Sequence, residues 1–299
     1  MIDEIEHVEA GSGASPILQQ AEWTWRGFWT RHRFAAVTFI NLTAFFVLWE
    51  WFARSGRVNP NVFPKFSNVL RALKIGWLGG GNLEGFDNRM LADYVIAENF
   101  WETLQIYAVS MVIAIAIGIP IGLLMGGSRW VEAIASPYVW TLSSLPLIAI
   151  YPVLLLIFGI GSEIKYAIIL VPAVFPVIIN TAAGVKTTER SLINAARVFG
   201  AKKRQIYIKV VLPYTLPFVM SGVQQSLSRG LVGVVLAEFL SGAITRGGIG
   251  WLVFRSAAVF NPPLTYAALL SLALFALALV QGTKFLESRL APWRKATIN

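Results

Sequence analysis

The sequence predicts an all-α protein that crosses a membrane several times. Hydrophobic residues make up 56% of its 299 residues, charged residues only 14%, and the mean hydropathy is +0.63. A soluble domain carries about 25% charged residues. The few charges also leave long gaps, each close to or above the roughly 20 residues that cross a bilayer as a helix. These uncharged runs are 103–128, 133–162, 166–185, 210–228 and 256–283, and the run 34–53 contains only Glu50.

The composition excludes several classes of function. There is no cysteine, so neither a disulfide framework nor a thiolate nucleophile is available. His7 and His32 lie outside the apolar runs, and we predict no metal site. No G-x-x-x-x-G-K-[ST] segment occurs, so the chain is not expected to bind ATP through a P-loop. We attribute the net charge of +9 to basic loops facing the cytoplasm and not to nucleic-acid binding.

Three segments are predicted along the chain. Residues 1–33 form a polar tail, in which alternating Trp and Arg side chains favour an interfacial segment over a solvated tail. The transmembrane domain covers 34–290, and residues 291–299 form a polar C-terminal tail. The acidic residues near the N-terminus argue against a signal peptide.

We predict six membrane crossings, with five or seven as the alternatives. The run 133–162 contains Pro137, Pro146 and Pro152, so its helix should be kinked or broken. Residues 210–221 are interpreted as an interfacial lead-in or a tilted extension, with the main span at about 222–243. Between 54 and 98 the apolar spacing of Val69, Leu70, Leu73 and Trp77 predicts a short amphipathic helix on the outer surface.

The orientation follows from the loop between 186 and 209. It holds seven basic residues against one acid, Glu189. Such a loop faces the cytoplasm by the positive-inside rule. Alternation then places Arg129 in a cytoplasmic turn and both termini in the cytoplasm.

Gly118, Gly122 and Gly126 form two overlapping G-x-x-x-G steps on one face of a predicted helix. Small residues at this spacing let two membrane helices approach closely. The pattern does not identify the second helix, so packing within one chain and packing between two copies both stay open.

Several polar side chains are predicted at membrane depth. Such residues are costly there and commonly face a cavity, a path or each other. Arg229 and Glu238 are about two and a half helical turns apart, so they should not touch within one straight helix. We predict that the polar residues line a path, with pairing to another helix as the alternative. The predicted path residues are Asn180, Gln224, Ser228, Arg229 and Glu238.

The basic loop carries the most specific pattern. It contains Asn194-Ala195-Ala196-Arg197-Val198-Phe199-Gly200, then nine residues, then Val210-Val211-Leu212-Pro213. Small Ala side chains let a short helix enter a groove of another protein, and Gly200 can leave that helix in the left-handed region. Pro213 fits the start of the next helix. The segment resembles the EAA loop, E-A-A-x-x-x-G-x(9)-I-x-L-P, of ABC-importer permeases, with Asn194 in place of the leading Glu.

The resemblance extends over roughly residues 40–290. Leu145-Pro146, Phe158-Gly159-Ile160-Gly161 with Lys165, and Phe175-Pro176 with Asn180-Thr181 look like motifs of the nitrate/sulfonate/taurine group of permeases. Ile150, Ile157 and Leu231 stand where that group often has Trp, and Gln224 where it often has Arg. These departures argue against assigning any one substrate of the group.

The resemblance implies a type I ABC-importer permease fold in the bacterial inner membrane. It implies a second permease copy as a homodimer partner, two ATP-binding cassette subunits that bind the ATP, and an extracytoplasmic substrate-binding protein. The permease would have no cofactor and no catalytic residue. The implied coupling residues in the loop 186–213 are Asn194, Ala195, Ala196, Arg197, Gly200, Leu212 and Pro213. The expected solute is a small anion such as a sulfonate, nitrate or carboxylate. A neutral or cationic vitamin precursor is the alternative, followed by an ATP-independent channel or a membrane enzyme.

Overall fold

The computed structural model describes residues 36–81, 95–241 and 247–290, which are helical with short connections and contain no strand. Two compact units divide the chain at Pro60. In the first unit, α1 (Ala36–Arg54) is a 19-residue apolar helix. Its one acid, Glu50, accepts a 2.7 Å hydrogen bond from Arg54 Nε. The predicted tails 1–33 and 291–299 lie outside the described residues.

The second unit contains ten further helices among its described residues. In chain order these are α2 (Phe66–Leu78), α3 (Val95–Gly127), α4 (Arg129–Ser144), α5 (Leu147–Phe158), α6 (Ser162–Lys186), α7 (Arg190–Val198), α8 (Lys203–Ile206), α9 (Leu212–Ser241), α10 (Ile249–Ala258) and α11 (Pro262–Leu290). Five of the described helical segments are long and apolar enough to cross a membrane, and the bent pair α4–α5 raises the number to six. The all-α membrane fold is therefore confirmed.

The break predicted within 133–162 falls between α4 and α5, where the two helix axes differ by 107°. Pro146 is the N-cap of α5, whereas Pro137 and Pro152 lie inside helices. The residue before a proline is driven out of the helical region, and Leu145 has an extended ψ of 132°. Of the three prolines, only Pro146, which follows the extended Leu145, lies where one helix ends and the next begins.

The G-x-x-x-G face of α3 packs on α6 of the same chain. A Cβ added to Gly122 would lie 2.6 Å from Thr181 Cβ, and one added to Gly118 would lie 2.7 Å from Val177 Cβ. Gly126 stands equally close to Val185. Of the two alternatives left open by the sequence, the structure places this stripe in a contact within one chain.

The opposite side of α6 packs against α9, again through glycines. A Cβ on Gly222 would lie 2.9 Å from the Pro176 carbonyl oxygen, and one on Gly233 would lie 3.2 Å from that of Ile168. Helices α3, α6 and α9 thus form a core in which backbones touch with few side chains between them.

The segment 203–240 is one continuous helical run, so residues 210–221 extend the helix of the span predicted at about 222–243, in keeping with the tilted extension that was one of their two interpretations. After α8, residues Tyr207–Val211 form a π-turn that leads directly into α9. Pro213 is the second residue of α9 and Pro217 lies within its first two turns. Both prolines therefore lie within one continuous helical run and do not separate a lead-in from the span.

Helix α2 forms where the apolar spacing predicts it. Val69, Ala72 and Ile75 on its inner face are buried against α10 and α11. The indole Nε1 of Trp77 donates a 3.1 Å hydrogen bond to Ser271 Oγ. The short helices α2 and α10 therefore close one end of the second unit, which we call the α10 end; α7 lies at the other end of α9.

Candidate functional site

The loop between α6 and α9 presents α7 as an exposed helix. None of its residues is buried, and the apolar side chains of Val198 and, just beyond the helix, Phe199 are 86% and 89% exposed. Asn194, Ala195 and Arg197 are also exposed, while Ala196 is half-buried. Two large apolar side chains on a short solvent-facing helix form the kind of surface that a partner protein covers.

Gly200 ends this helix in the left-handed region, with φ +76°. Its N–H donates to the Arg197 carbonyl at 2.9 Å, and the Ala201 N–H donates to the Ala196 carbonyl at 3.0 Å. This pair of bonds is the Schellman cap. The positive φ predicted for Gly200 from the sequence is therefore present in the structure.

Side-chain contacts tie the loop to the membrane helices. Tyr207 Oη donates a 3.2 Å hydrogen bond to the Leu123 carbonyl of α3. Lys186 Nζ, at the end of α6, lies 2.5 Å from Glu132 Oε1 in the first turn of α4. Leu212 and Pro213 begin α9. The segments on both sides of α7 are thereby attached to α3 and α4, so a displacement of α7 can reach them.

A cavity of about 370 Å³ lies between α9 and α11. It brings together two of the predicted path residues, Gln224 and Ser228, and adds Gln225 and Thr283, which the path prediction omitted. Ser228 Oγ donates to the Gln224 carbonyl at 3.2 Å. No charged side chain is among its lining residues. The cavity offers amide and hydroxyl groups to a solute.

The other three predicted path residues lie outside this cavity lining. Asn180 Nδ2 donates to the Pro176 carbonyl at 2.8 Å, and its Cβ packs beside Gly222 at the α6–α9 contact. Arg229 follows Ser228 on α9 and is exposed. Glu238 is fully buried near the end of α9. The structure therefore divides the five predicted path residues among four environments: the cavity, the α6–α9 contact, the exposed face of α9 and the buried end of that helix.

The carboxylate of Glu238 joins three segments at the α10 end. Oε1 accepts a 2.7 Å hydrogen bond from Thr103 Oγ1 of α3, and Oε2 accepts one of 2.7 Å from the Gly250 N–H of α10. Thr103 Oγ1 in turn accepts a 2.8 Å bond from the Ile249 N–H. Both carboxylate oxygens are hydrogen-bonded within the protein, as a buried carboxylate requires.

Glycines make room for this carboxylate. A Cβ on Gly248 would lie 2.2 Å from the carboxyl carbon of Glu238, and one on Gly250 would lie 2.9 Å from its Cβ. The sequence analysis did not single out Thr103 or these glycines. The stretch Gly247-Gly248-Ile249-Gly250, nine residues beyond an acid in an apolar run, was the available signal.

A buried cation stands at the same end of the unit. Lys165, in the first turns of α6, is 3% exposed. Its Nζ lies 3.8 Å from Glu102 Oε1, and the Glu102 side chain is partly exposed. Glu102 precedes Thr103 on α3, so this ion pair lies next to the Glu238 hydrogen bonds.

The comparison with known proteins gives the family. Residues 118–295 match the family described as the binding-protein-dependent transport system inner membrane component. This chain belongs to that family. The resemblance found in the sequence is thereby confirmed. The chain is a permease, a non-enzymatic membrane subunit of an ABC importer. Permeases of this family work with ATPase and substrate-binding partners.

Two curated relatives cover much of this permease. The taurine transport system permease protein TauC of Escherichia coli is 29% identical over 276 residues, which cover 92% of this chain and 95% of that protein. The formylaminopyrimidine transport permease protein ThiX of Halalkalibacterium halodurans is 30% identical over 193 residues, covering 64% of this chain and 76% of that protein.

Among solved structures, the permease fold is similar to a chain of the inward-facing MetNI methionine ABC transporter. The TM-score is 0.54 at 23% sequence identity, and the match covers 66% of this chain and 95% of that chain. This likeness concerns the fold.

Within the part of the permease that the structure describes, no group of three His, Cys, Asp or Glu side chains could hold a metal ion.

Proposed function

We propose that this permease is the transmembrane subunit of an ATP-driven importer that moves a small solute into the cytoplasm by alternating access. The observation that carries the proposal is α7, an exposed helix that ends in apolar Val198 with Phe199 directly after it, and whose flanking segments are attached to the membrane helices. Separate ATPase subunits bind and hydrolyse the ATP, and the permease holds no cofactor.

The proposed assembly has two permease copies, two ATP-binding cassette subunits and an extracytoplasmic binding protein. The basic residues around α7 support a cytoplasmic loop, and alternation along the spans puts both termini of the inner-membrane permease in the cytoplasm. The described residues of one copy supply five or six spans, which are few helices to enclose a path. A homodimer supplies the second wall.

The proposed coupling residues lie on and beside α7. Ala195 and Ala196 let a groove of the ATPase approach the helix backbone, Asn194 and Arg197 offer polar contacts, and Gly200 directs the chain away from the contact. Leu212 and Pro213 pass the displacement into α9. Since α3, α6 and α9 pack backbone to backbone, they transmit that displacement as a unit.

The proposed substrate is a small anion, and Arg229 is the residue proposed to help it cross. At 1.5 Å per residue, Arg229 lies about 26 Å along α9 from Leu212 and about 18 Å from Ser241. That position is well inside a hydrocarbon core of about 30 Å if the helix is centred in it. A guanidinium offers five donors in a planar fork that suits carboxylate and sulfonate oxygens. The relative named for taurine, a sulfonate, supports this choice.

A neutral or cationic vitamin precursor is the second candidate. The cavity that contains Gln224 and Ser228 has no charged lining, and one relative is named for formylaminopyrimidine. An anion needs Arg229, whereas a neutral heterocycle needs only the amides and hydroxyls. The two candidates therefore differ in their dependence on one side chain.

Uptake into vesicles that contain the assembled importer tests the substrate class. We expect Arg229→Gln to reduce uptake of an anionic solute by at least about tenfold, the effect of losing one charge-assisted interaction of 1.4 kcal/mol or more. Arg129→Gln, which changes an exposed arginine at the start of α4, is the matched control. Unchanged uptake by Arg229→Gln, or a cognate binding protein that selects cations, contradicts the anion proposal.

The division of labour is tested on the purified permease. We expect it to co-purify with an ATPase subunit and to hydrolyse no ATP after that subunit is removed, because the sequence has no P-loop. ATP hydrolysis by the pure permease contradicts the proposed role.

A further inference from the structure

The hydrogen-bonded group around Glu238 lies apart from both the coupling loop and the cavity, and the proposed function leaves it without a role. We call it the Glu238 network: the carboxylate of Glu238 on α9, the hydroxyl of Thr103 on α3, and the backbone N–H groups of Ile249 and Gly250 at the start of α10. Glu238 and Thr103 are both fully buried.

The network fixes the orientation of α10. Apolar contacts such as those of Leu252 and Leu264 allow helices to rotate and slide, because they have no preferred direction. Hydrogen bonds to a carboxylate are directional and strong where water is excluded. Two of the three bonds come from the first two residues of α10, Ile249 and Gly250, and the third joins Thr103 to Glu238, so that end of the helix is held to both α3 and α9.

The glycine segment makes this attachment specific. Gly248 has φ +93°, and side chains at Gly248 or Gly250 would overlap Glu238. The backbone is therefore shaped around the carboxylate, and no other residue type fits these two positions without moving it.

Helix α9 connects the network to the opposite end of the permease. The continuous run 203–240 begins three residues after Gly200 and ends two residues after Glu238. A tilt of α9 that starts at the coupling loop therefore moves the carboxylate, and a displacement of α10 is transmitted back along the same helix.

We propose that Glu238 is a positioning residue that links α10 to α9, so that the binding protein's contact at the α10 end changes ATP hydrolysis at the coupling loop. Arg255 and Phe260 project from α10 and its C-terminal turn into solvent, where such a contact can form. The inference rests on the proposed function, since it needs both the binding protein and the ATPase. Glu238 acts through α10 and does not touch the solute.

The test measures ATP hydrolysis by the reconstituted complex, with and without its solute-loaded binding protein. The variant is Thr103→Val, which keeps the shape of the side chain but removes two bonds of the network. Basal hydrolysis should stay at the wild-type rate, because the ATPase site lies on another subunit. We expect the stimulation by the binding protein to fall at least about fivefold, the lower end of typical coupling between sites. Thr103→Ser, which keeps the hydroxyl, should restore it.

Thr181→Val is the matched control. Thr181 is equally buried, but its hydroxyl has no hydrogen-bond partner among the described residues. The same substitution there should leave both basal hydrolysis and its stimulation unchanged. Gly250→Ala disrupts the network on the α10 side, because the new Cβ would displace Glu238. It should therefore reproduce the Thr103→Val result.

The outcomes separate this inference from the proposed function. If the wild-type complex is not stimulated by its binding protein, the proposed function fails. If the wild type is stimulated and Thr103→Val is stimulated equally, the network has no part in coupling and the inference is wrong. If Thr103→Val and Gly250→Ala both lower assembly or basal hydrolysis to the same extent as the stimulated rate, the network serves folding alone, which also overturns the inference.

Discussion

Two residues of this permease occupy the same backbone conformation at the end of a helix, and only one of them is a glycine. Gly200 follows α7 with φ +76°, and Phe260 follows α10 with φ 55°. Phe260 N–H donates to the Ala257 carbonyl and Asn261 N–H to that of Ser256, which is again the Schellman pattern. Left-handed backbone costs a residue with a Cβ about 1–2 kcal/mol, so Phe260 is strained where Gly200 is not.

The glycine at position 200 is predicted to be needed for coupling. In Gly200→Val no atom would obstruct the new Cβ, so the cost is that of the left-handed backbone alone. If that cost of about 1–2 kcal/mol falls on the coupled state, import drops roughly tenfold while membrane insertion is unchanged. Transport and ATP hydrolysis by the same vesicles measure the effect. Gly200→Asn, which tolerates this conformation, should retain most of the import, and a Val variant with wild-type import contradicts the prediction.

The opposite substitution at the second cap should stabilise the protein. Phe260 is 75% exposed, so Phe260→Gly loses little buried area and relieves the positive φ. We expect a gain of about 0.5–1 kcal/mol, after allowing for the greater freedom of glycine in the unfolded chain. Thermal unfolding in detergent measures it. A loss of stability would mean that the phenyl ring makes a stabilising contact.

At the scale of helices, glycine stripes set how closely the elements pack. Gly122 lies against Thr181 and the Ile178 carbonyl, so a methyl group there has no space, whereas Gly282 on α11 has open space around it. The sequence predicted close packing along the Gly118 face but could not name the partner. A stripe of small residues states how near a second helix comes, and not which helix it is.

This contrast gives a prediction of opposite signs for one substitution. Gly122→Ala should destabilise the permease by about 1–3 kcal/mol, because it overfills a close backbone contact. Gly282→Ala should stabilise it by up to about 1 kcal/mol through helix propensity. Unfolding of both variants in one detergent decides the matter, and equal effects at the two positions would contradict the packing described for α3 and α6.

The prolines show where reasoning from the sequence succeeds for helices and where it fails. The run that contains Pro137, Pro146 and Pro152 was predicted to be kinked or broken, and it breaks at Pro146, because Leu145 before it is extended. Residues 210–221, with Pro213 and Pro217 near their start, were interpreted as an interfacial lead-in or a tilted extension, and the helix passes through both prolines. Neighbouring helices can satisfy the backbone groups that a proline frees in a membrane, so proline alone does not mark the end of a span.

At the scale of the whole molecule, the family, the all-α fold and the short exposed helix in the basic loop could be predicted from the sequence, because hydropathy and one spaced motif are local signals. The surroundings of Glu238 could not. Its hydrogen-bond partner Thr103 is 135 residues away in the sequence. An acid in an apolar run also gives the same sequence pattern whether it faces a path or another helix. Gln224 and Ser228 lie in one cavity because they are one helical turn apart, which is the kind of proximity that a sequence does reveal.

The π-turn at Tyr207–Val211 is a place where the permease can lose one residue without losing the helix. A π-turn holds one residue more than an α-turn, so deleting Ile208 can restore a regular helix and leave the glycines of α9 facing α6. Deleting Val232, also an exposed apolar residue, rotates everything beyond it by about 100° and turns Glu238 away from Thr103. We expect the first deletion to yield folded permease and the second to abolish it, as measured by expression and detergent stability. Removal of one residue should therefore be tolerated at this junction but not at Val232 within α9.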